Sequence, residues 1–369
     1  MRSVAYAVTG VFGFLLAFFL IHLPHGPEHW SADLRTAYLS PRLDSQHPRV
    51  AIIEVTEKTL EHQPYVEPID RKLLSDLVRT IKATAPKAIG LDFVFDRPTE
   101  FEKDERLIET IRDGTIPMVL GALDDASLRS DEERAFQTRF LARANRPAGH
   151  LYFDEHHSPL VISDHVIRFI EIPESDESPR ASFTELLAQV GKSYSHSEGE
   201  YIAWLLPPKD GTETFLTLAA EHVLGRGGLS QSLPLAEMLR DKIVLIGGNF
   251  SDRDQHLIPL SVINEARYSG VFIHAQILAQ LLDGRVVHAL GEPGELIIAL
   301  FVAVAGFAVG RMERLEHYHL LVEVASVAIM IVISIATFAY GAFIFPFIAV
   351  LLAWLAGSTA GQYSMRARE

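Results

Sequence analysis

The heptapeptide KIVLIGG, residues 242–248, decides the fold class of this chain. Its four consecutive aliphatic residues, followed by two glycines, are typical of a strand that is buried on both faces of a sheet. The runs VAIIEV at 50–55, AIGLDFVF at 88–95 and MVLGAL at 118–123 have the same character. Amphipathic helical patterns alternate with these runs. We therefore predict an α/β fold with a mostly parallel sheet and flanking helices on both faces.

The helical patterns lie at 71–83, at 102–112 and at 272–282, where Gly284 ends the pattern. Asp70 precedes the first of them and is the predicted N-cap, because an aspartate there accepts a hydrogen bond from a free backbone N–H. In each of these helices the apolar residues are spaced so that they form one face, and this face can pack against a sheet.

Residues 124–240 give weaker patterns. We predict a charged helix over 127–144, two short strands forming a hairpin within 150–172, and another helix over 214–224 (TFLTLAAEHVL). The segment 171–179 reads as a solvated acidic loop.

Four apolar runs frame this region, namely Val4–Leu23, Glu295–Gly310, Leu320–Tyr340 and Ala342–Gly361. Runs of this length match the helix of about 20 residues that crosses a bilayer. We predict four transmembrane helices in this order: an N-terminal anchor (1–23), an extracytoplasmic domain (24–293), a three-helix bundle (294–363) and a short cytoplasmic tail (364–369). The first run is longer than a signal-peptide core and lacks a small-residue cleavage site after it, which favours an uncleaved anchor.

Basic residues predict the orientation. They flank the spans at Arg2, Arg311, Arg314, Arg366 and Arg368, and the positive-inside rule places all of them in the cytoplasm. Both termini are then cytoplasmic and the middle domain is periplasmic, in a bacterial inner membrane. The net charge of −14 lies in that middle domain and disfavours nucleic acid as a partner. The chain has no cysteine, which excludes disulfides and thiolate chemistry.

Several segments occur in the order typical of one known family. They are VAIIEVTEKTL, PIDRKLLSDLVRTIKATAPKAIGLDFVF, DERLIETIRDGTIPMVLGAL, LRDKIVLIGGNFSDRDQHLIP and YSGVFIHAQILAQLLDG, with three spans directly afterwards. In these the chain resembles the type 2 CHASE domain, the extracellular sensory domain of bacterial cyclases and histidine kinases. Members usually continue into a cytoplasmic output domain, whereas this sequence stops at Glu369. The resemblance therefore implies a sensor whose signal passes to a separate partner.

Polar residues follow the strands at the edge where open parallel sheets bind ligands. The candidate ligand-binding residues are Asp92, Asp252, Asp254, His256, His274 and Arg71. Carboxylates and imidazoles are suitable ligands of a divalent cation, and the start of the helix that carries His274 favours an anion. Ordinary structural use is the alternative, in which these carboxylates cap helices or pair with Arg71 or Arg253. The sequence leaves the ligand and any cofactor unknown.

Enzyme motifs are missing from the sequence. No Gly-Lys-Ser/Thr follows KIVLIGG, and neither a nucleophile elbow nor His-Glu-Xaa-Xaa-His occurs. We therefore predict a sensory or ligand-binding membrane protein rather than an enzyme. A structural or regulatory subunit of an envelope complex is one alternative. A metal-dependent periplasmic hydrolase using Asp92, Asp254 and His256 is another.

Small residues in the spans indicate close helix contacts. Gly306 and Gly310 lie four residues apart in one span, and Gly357 and Gly361 do so in another. This spacing serves packing within the bundle or contact with a partner, and the sequence does not separate the two. Glu323 lies inside the third span, where it reaches the interface or meets a polar partner. We expect a homo-oligomer or a complex with a separate membrane protein.

Overall fold

The structure is a computed structural model that describes residues 27–61, 63–124, 127–153, 164–170, 181–191, 201–226 and 234–366. The predicted anchor Val4–Leu23 and the acidic loop 171–179 lie outside these ranges.

Six parallel strands form the central sheet. They are β1 (Val50–Val55), β2 (Ala88–Asp92), β3 (Met118–Ala122), β4 (Ala148–His150), β5 (Leu216–Ala219) and β6 (Ile243–Gly248). Their spatial order is β4-β3-β2-β6-β1-β5. The predicted fold class is confirmed: the molecule is an α/β protein with a parallel sheet, and β6, the strand of KIVLIGG, lies in its interior between β1 and β2.

Helices cover both faces of the sheet. The helices of the described chain are α1 (Pro27–Leu39), α2 (Glu57–Leu60), α3 (Arg71–Lys82), α4 (Phe101–Arg112), α5 (Asp131–Ala144), α6 (Phe183–Val190), α7 (Ala220–Val223), α8 (Leu235–Leu239), α9 (Ser261–Asn264), α10 (Gly270–Asp283), α11 (Glu292–Gly310), α12 (His319–Gly341) and α13 (Phe347–Arg366), with a 3₁₀ helix at Glu313–Tyr318. Short strands pair as β7 (Gln255–His256) with β8 (Tyr268–Ser269) and as β9 (His288–Ala289) with β10 (Phe343–Ile344).

The core consists of two apolar layers, one on each face of the sheet. Helices α3, α4 and α5 pack on one face through residues such as Leu77 and Leu107. Helices α6 and α10 pack on the other through Leu187 and Leu278, together with the buried Trp204. The strands are apolar throughout because both of their faces are covered.

Local signals place the helix ends as predicted. Asp70 caps α3, since its Oδ1 accepts a hydrogen bond from the backbone N–H of Leu73 at 3.0 Å. Gly284 ends α10 in the left-handed conformation, with φ of 64°, which a glycine adopts without steric cost.

One prediction between residues 124 and 240 is wrong. The segment 214–224 is not one helix, because Leu216–Ala219 pairs with β1 as an edge strand and only Ala220–Val223 is helical. Pairing with a neighbouring strand overrides the helical pattern here.

The predicted hairpin within 150–172 falls largely on residues 154–163 and 171–172, which lie outside the described ranges. Of the described residues, His150 ends β4, which pairs with β3 in parallel. Val166 and Phe169 form isolated bridges to Leu257 and Tyr201.

The C-terminal region has three helices, α11, α12 and α13, at the positions of the predicted bundle. Among the described residues, two segments are long and apolar enough to cross a membrane by length and composition, Pro293–Gly310 and Glu313–Gly341. The run predicted as a helix from Ala342 begins its helix at Phe347. Ala342 takes a left-handed conformation that ends α12, and the chain then pairs as β10 before α13 starts.

Glycines hold α11 and α13 together. A Cβ atom on Gly306 would lie 2.7 Å from the carbonyl oxygen of Trp354, and one on Gly361 would meet the carbonyl oxygen of Phe307. Gly310 and Gly357 face the partner helix in the same way. The small-residue faces thus pack within the chain. Glu323 of α12 also meets an intrachain partner, accepting a hydrogen bond from Trp354 Nε1 at 2.7 Å.

Candidate functional site

The sheet has its topological switch at β6. The connection from β1 to β2 passes over β6, after which β3 and β4 extend the sheet on one side while β5 lies on the other. Gly247 of β6 pairs with Glu54 of β1 and with Asp92 of β2, so the carboxyl ends of three strands meet here. Open α/β sheets bind ligands at such an edge.

Asp92 and His274 form the buried part of this edge. Asp92 is the last residue of β2, and its Oδ1 lies 3.7 Å from Nε2 of His274 in the first part of α10. Their side chains are 8% and 4% exposed, respectively. Gly247 permits this arrangement, because a Cβ atom there would lie 3.0 Å from Asp92 Oδ2 and closer still to Val271.

Asp254 and His256 form the exposed part. His256 Nε2 lies 3.0 Å from Asp254 Oδ1, and the two side chains are 24% and 45% exposed. Asp254 has a positive φ of 54°, which directs the loop across the start of α10. A Cβ atom on Gly270, the first residue of that helix, would lie 2.7 Å from Asp254 Oδ1. Asp254 therefore fits only because position 270 has no side chain.

Aromatic rings join the two parts. The ring centroid of Phe153 lies 4.5 Å from that of His274 and 5.4 Å from that of His256. Phe183 of α6 contacts His274 edge-on at 5.4 Å. We call Asp92, Asp254, His256, His274 and Phe153 the strand-end site. Sequence analysis missed both phenylalanines, because nothing in their local patterns distinguishes them from ordinary core residues.

Burial disfavours the charged forms of the inner pair of the strand-end site. Burial raises the pKa of Asp92 well above its usual value, and the nearby carboxylate of Asp254 raises it further. Burial lowers the pKa of His274 to about 3, with further lowering by His150 and His256. Nδ1 of His274 is buried and makes no hydrogen bond with any residue that the structure describes. A neutral carboxyl and a neutral imidazole thus offer hydrogen-bonding groups without net charge.

The remaining candidates lie apart from this cluster. Asp252 is exposed and pairs with Arg253 at 3.4 Å, while Arg253 also binds Glu67 at 2.8 Å. Arg71 is buried, with its Nε 3.6 Å from Asp104 and its guanidinium 4.9 Å from the ring centroid of Phe95. Asp92 is therefore not paired with either arginine. In the described part of the chain, no group of three or more His, Asp or Glu side chains is arranged to hold a metal ion.

A second polar cluster joins the domain to the C-terminal helices through α1. The Glu28 carboxylate accepts hydrogen bonds from the backbone N–H groups of Phe347, Ile348 and Ala349 at 3.0, 2.7 and 3.2 Å. These are the free donors of the first turn of α13, and the positive end of that helix favours the carboxylate. One charged side chain of α1 therefore caps a helix more than 300 residues away in the chain.

Arg35 makes the matching contact with α12. Its Nη1 donates to Ser334 Oγ at 2.5 Å and to the carbonyl oxygen of Phe345 at 2.7 Å, and its Nη2 lies 3.5 Å from Glu28. The side chain is 6% exposed. We call Glu28, Arg35, Ser334 and the backbone at 345–349 the junction.

Helix α1 is in turn bound to the domain by a buried ion-pair network. Arg168 donates to Asp33 of α1 at 2.9 and 2.8 Å and to Asp164 at 2.9 and 2.6 Å. All three side chains are at most 10% exposed. Helix α1 therefore contacts the domain on one side and two C-terminal helices on the other.

The model of the CHASE2 domain matches residues 8–308 of this chain. The chain belongs to the CHASE2 family. CHASE2 domains are extracellular sensory domains, and the matched range contains the strand-end site, α1 and most of α11. Helices α12 and α13 lie beyond it. Comparison with curated proteins and with solved structures gave no match.

Proposed function

We propose that this CHASE2 protein is a membrane-bound extracytoplasmic sensor. It binds a ligand at the strand-end site and passes the resulting change through the junction into its C-terminal helices, and from them to a separate partner. The observation that carries this proposal is the pair of contacts made by α1, in which Glu28 caps α13 and Arg35 binds α12.

The strand-end site favours a small uncharged ligand. Burial disfavours the charged forms of both Asp92 and His274, so the inner pair favours a ligand without charge. Nδ1 of His274, which makes no hydrogen bond to a described residue, gains a partner from a ligand with hydrogen-bonding groups, and Phe153 supplies an apolar wall. The proposed role is binding rather than catalysis, because burial disfavours the charged carboxylate that a general base requires.

The junction supplies the mechanical connection. Buried polar contacts with good geometry permit few alternative arrangements, so α1 and the ends of α12 and α13 move together. Helix α9, which follows the loop at Asp254 in the chain, packs on α1. A ligand that displaces this loop therefore changes the surface against which α1 packs. The change reaches a partner only if the partner contacts the C-terminal helices differently with and without the bound ligand.

Spin labels test this transmission directly. The chain has no native cysteine, so cysteines replacing the exposed Glu102 on α4 and the exposed Met312 after α11 carry the only labels. In nanodiscs we expect Asp92→Leu to shift the distance distribution between the labels. The same substitution should cause no shift when Glu28→Gln and Arg35→Gln are also present.

The matched control is Arg134→Ala, which removes an exposed pair with Asp131 and leaves the junction intact. A distance distribution that stays the same after Asp92→Leu in the intact protein would contradict transmission. So would a shift of equal size with and without the junction residues.

We further propose four spans, with Val4–Leu23 as the first and both termini in the cytoplasm. Residues 24–293 are then periplasmic. The candidate spans Pro293–Gly310 and Glu313–Gly341 support this arrangement, as does the position of Arg311 between them. Alkaline phosphatase fused after Leu290 should be active, and the same fusion after Glu369 should be inactive. The reverse pattern overturns the topology.

The partner contact is proposed to lie on α12. The glycine faces of α11 and α13 are occupied within the chain, whereas α12 exposes large apolar residues, among them Val324 and Val332. Crosslinking from Val332→Cys in mild detergent should capture a second copy or another membrane protein. Gly357→Cys is the control, because its face is buried against α11. A monodisperse monomer with no crosslink at position 332 contradicts a stable partner.

A further inference from the structure

A cavity of about 310 Å³ lies between the domain and the end of α12. Its walls come from α1, the segment Tyr201–Trp204, the segment Arg285–Val287 and the end of α12 at Phe338–Ala342. Most of its lining is apolar. It is separate from the strand-end site, whose five residues do not line it.

Arg285 is the cavity's polar feature. Its Nη1 donates to the carbonyl oxygen of Ala203, and its Nε donates to Asp283 at 3.2 Å. Its Nη2 is buried and donates no hydrogen bond to any described residue. A buried donor without an acceptor is costly, so an acceptor supplied by a ligand is favoured.

The local charge balance also favours an anionic ligand. Arg168, which lines the same cavity, is matched by two carboxylates, Asp33 and Asp164. Among the described residues, Arg285 pairs with one carboxylate, Asp283, which also contacts Arg49 and His47. The excess positive charge in this part of the molecule therefore lies at Arg285.

Exposed aromatic residues beside the cavity favour a position at the membrane surface, given the spans proposed above. Tyr340 lines the cavity and is 93% exposed, at the C-terminal end of a candidate span. Trp30 and Tyr38 of α1 are 58% and 65% exposed. Tryptophan and tyrosine are enriched at the membrane–water interface. An occupant can therefore come from the bilayer as well as from water.

We propose that this cavity binds a single-chain amphiphile with an anionic head. Its carboxylate or phosphate oxygen accepts from Arg285, and its chain packs against Trp204 and Phe338. The volume of about 310 Å³ equals that of about ten waters, which suits one short chain segment. Because the walls belong to both the domain and α12, such a ligand binds the two together. This inference does not depend on a ligand at the strand-end site.

Trp204 provides the test. The chain has three tryptophans, so Trp30→Phe with Trp354→Phe leaves Trp204 as the only one. In phosphatidylcholine nanodiscs we expect brominated dodecanoate to quench its fluorescence saturably. Brominated dodecanol, which has the same chain without the charge, should bind about tenfold more weakly, the factor that one charge-assisted hydrogen bond provides.

Two arginine variants separate the head-group contact from general electrostatics. Arg285→Gln should weaken dodecanoate binding about tenfold and leave dodecanol unchanged. Arg49→Gln removes a cation from the same Asp283 without touching the cavity and should leave both unchanged. As a measurement free of tryptophan changes, dodecanoate should raise the Tm of the unmodified chain and of Arg49→Gln more than that of Arg285→Gln.

Dodecanoate and dodecanol binding with equal affinity would overturn the proposal, as would equal effects of the two arginine variants. Quenching that rises linearly without saturation shows partition into the bilayer only and also overturns it. Micelles and free monomer are distinguished by repeating the titration below and above the critical micelle concentration. Saturation below that concentration identifies monomer as the bound form, and saturation only above it contradicts a single-molecule site.

Discussion

The strand-end site and the junction both bury ionisable side chains, but they differ in how completely those side chains are hydrogen-bonded. At the junction each charged side chain has a partner: Glu28 accepts three backbone N–H groups, and Arg35 donates to Ser334 and to the carbonyl oxygen of Phe345. At the strand-end site burial disfavours the charged forms of Asp92 and His274, and Nδ1 of His274 makes no hydrogen bond to the described residues. Satisfied buried groups fix one geometry, whereas unsatisfied ones leave stability to be gained by a ligand. The junction is therefore suited to connecting parts of the molecule, and the strand-end site to binding a ligand.

The largest effect should come from breaking the ion-pair network beside the junction. Arg168→Ala removes the cation that Asp33 and Asp164 both contact directly, and this should lower the free energy of unfolding by about 3–5 kcal/mol. Urea unfolding in detergent, followed by near-ultraviolet circular dichroism, measures it. Arg134→Ala, which breaks an exposed pair, should cost at most about 1 kcal/mol. Equal losses in the two variants would remove the contrast between buried and exposed pairs.

The second effect concerns the cap on α13. Glu28→Ala removes three acceptor contacts from the first turn of the helix and should cost about 2–3 kcal/mol. Hydrogen exchange at Phe347–Ala349 should accelerate accordingly, while exchange in the central sheet stays unchanged. Glu28→Gln keeps an acceptor oxygen and should restore part of the protection. Unchanged exchange in Glu28→Ala would show that the cap does not hold α13.

The third prediction uses pH to examine the strand-end site. Asp92 titrates near 3.8 when unfolded and has a raised pKa when folded, so its contribution to stability falls as pH rises above about 4. His274 titrates near 6.5 when unfolded and at about 3 when folded, so its contribution is lost as pH falls below about 6.5. Over this window each slope approaches about 1.4 kcal/mol per pH unit, and the two oppose each other.

Substitution of either residue should reveal the pH dependence of stability that the other residue causes. Between pH 4 and 6.5, Asp92→Asn should become more stable as pH rises, because only the His274 effect remains. His274→Phe should become less stable over the same range. Urea unfolding at several pH values measures both, with the unmodified protein as the control. If the free energy of unfolding depended on pH in the same way in all three proteins, the pair would not be buried in neutral form.

The smallest effect should come from the exposed part of the strand-end site. Asp254→Asn removes a carboxylate that is 45% exposed, so stability should change by no more than about 0.5 kcal/mol. The substitution should nevertheless lower the pKa of Asp92, because a like charge near it is gone. Carbon-detected NMR of the Asp92 carboxyl measures this shift. A pKa that does not change would separate Asp254 from the inner pair.

Local patterns were sufficient for the interior of the sheet. KIVLIGG, VAIIEV and MVLGAL became strands because a continuous apolar run has no stable place except between two covered faces. The cap at Asp70 and the end at Gly284 follow from interactions within a few residues, and both were predicted. Asp92 and Asp254 lie near the carboxyl edge of the sheet, because residues that follow parallel strands are placed there, and their ligand-binding role stays a prediction.

Long-range contacts decided the rest. Segment 214–224 became an edge strand through pairing with β1, which no local pattern records. Helix α1 was missed because its buried residues include Asp33 and Arg35, so it lacks the apolar stripe that marks an ordinary helix. Its partners, Arg168 and Ser334, are 135 and 299 residues away in the chain.

By itself the sequence determined the α/β class, the family and the residues at the edge of the sheet, because burial of apolar runs and strand direction are local properties. Only the tertiary structure decided that Phe153 joins His256 to His274, that the glycine faces pack within the chain, and that Glu28 caps α13. Each of these depends on which surfaces meet once the sheet has formed. A polar residue has many acceptable partners, and folding of the whole chain selects among them.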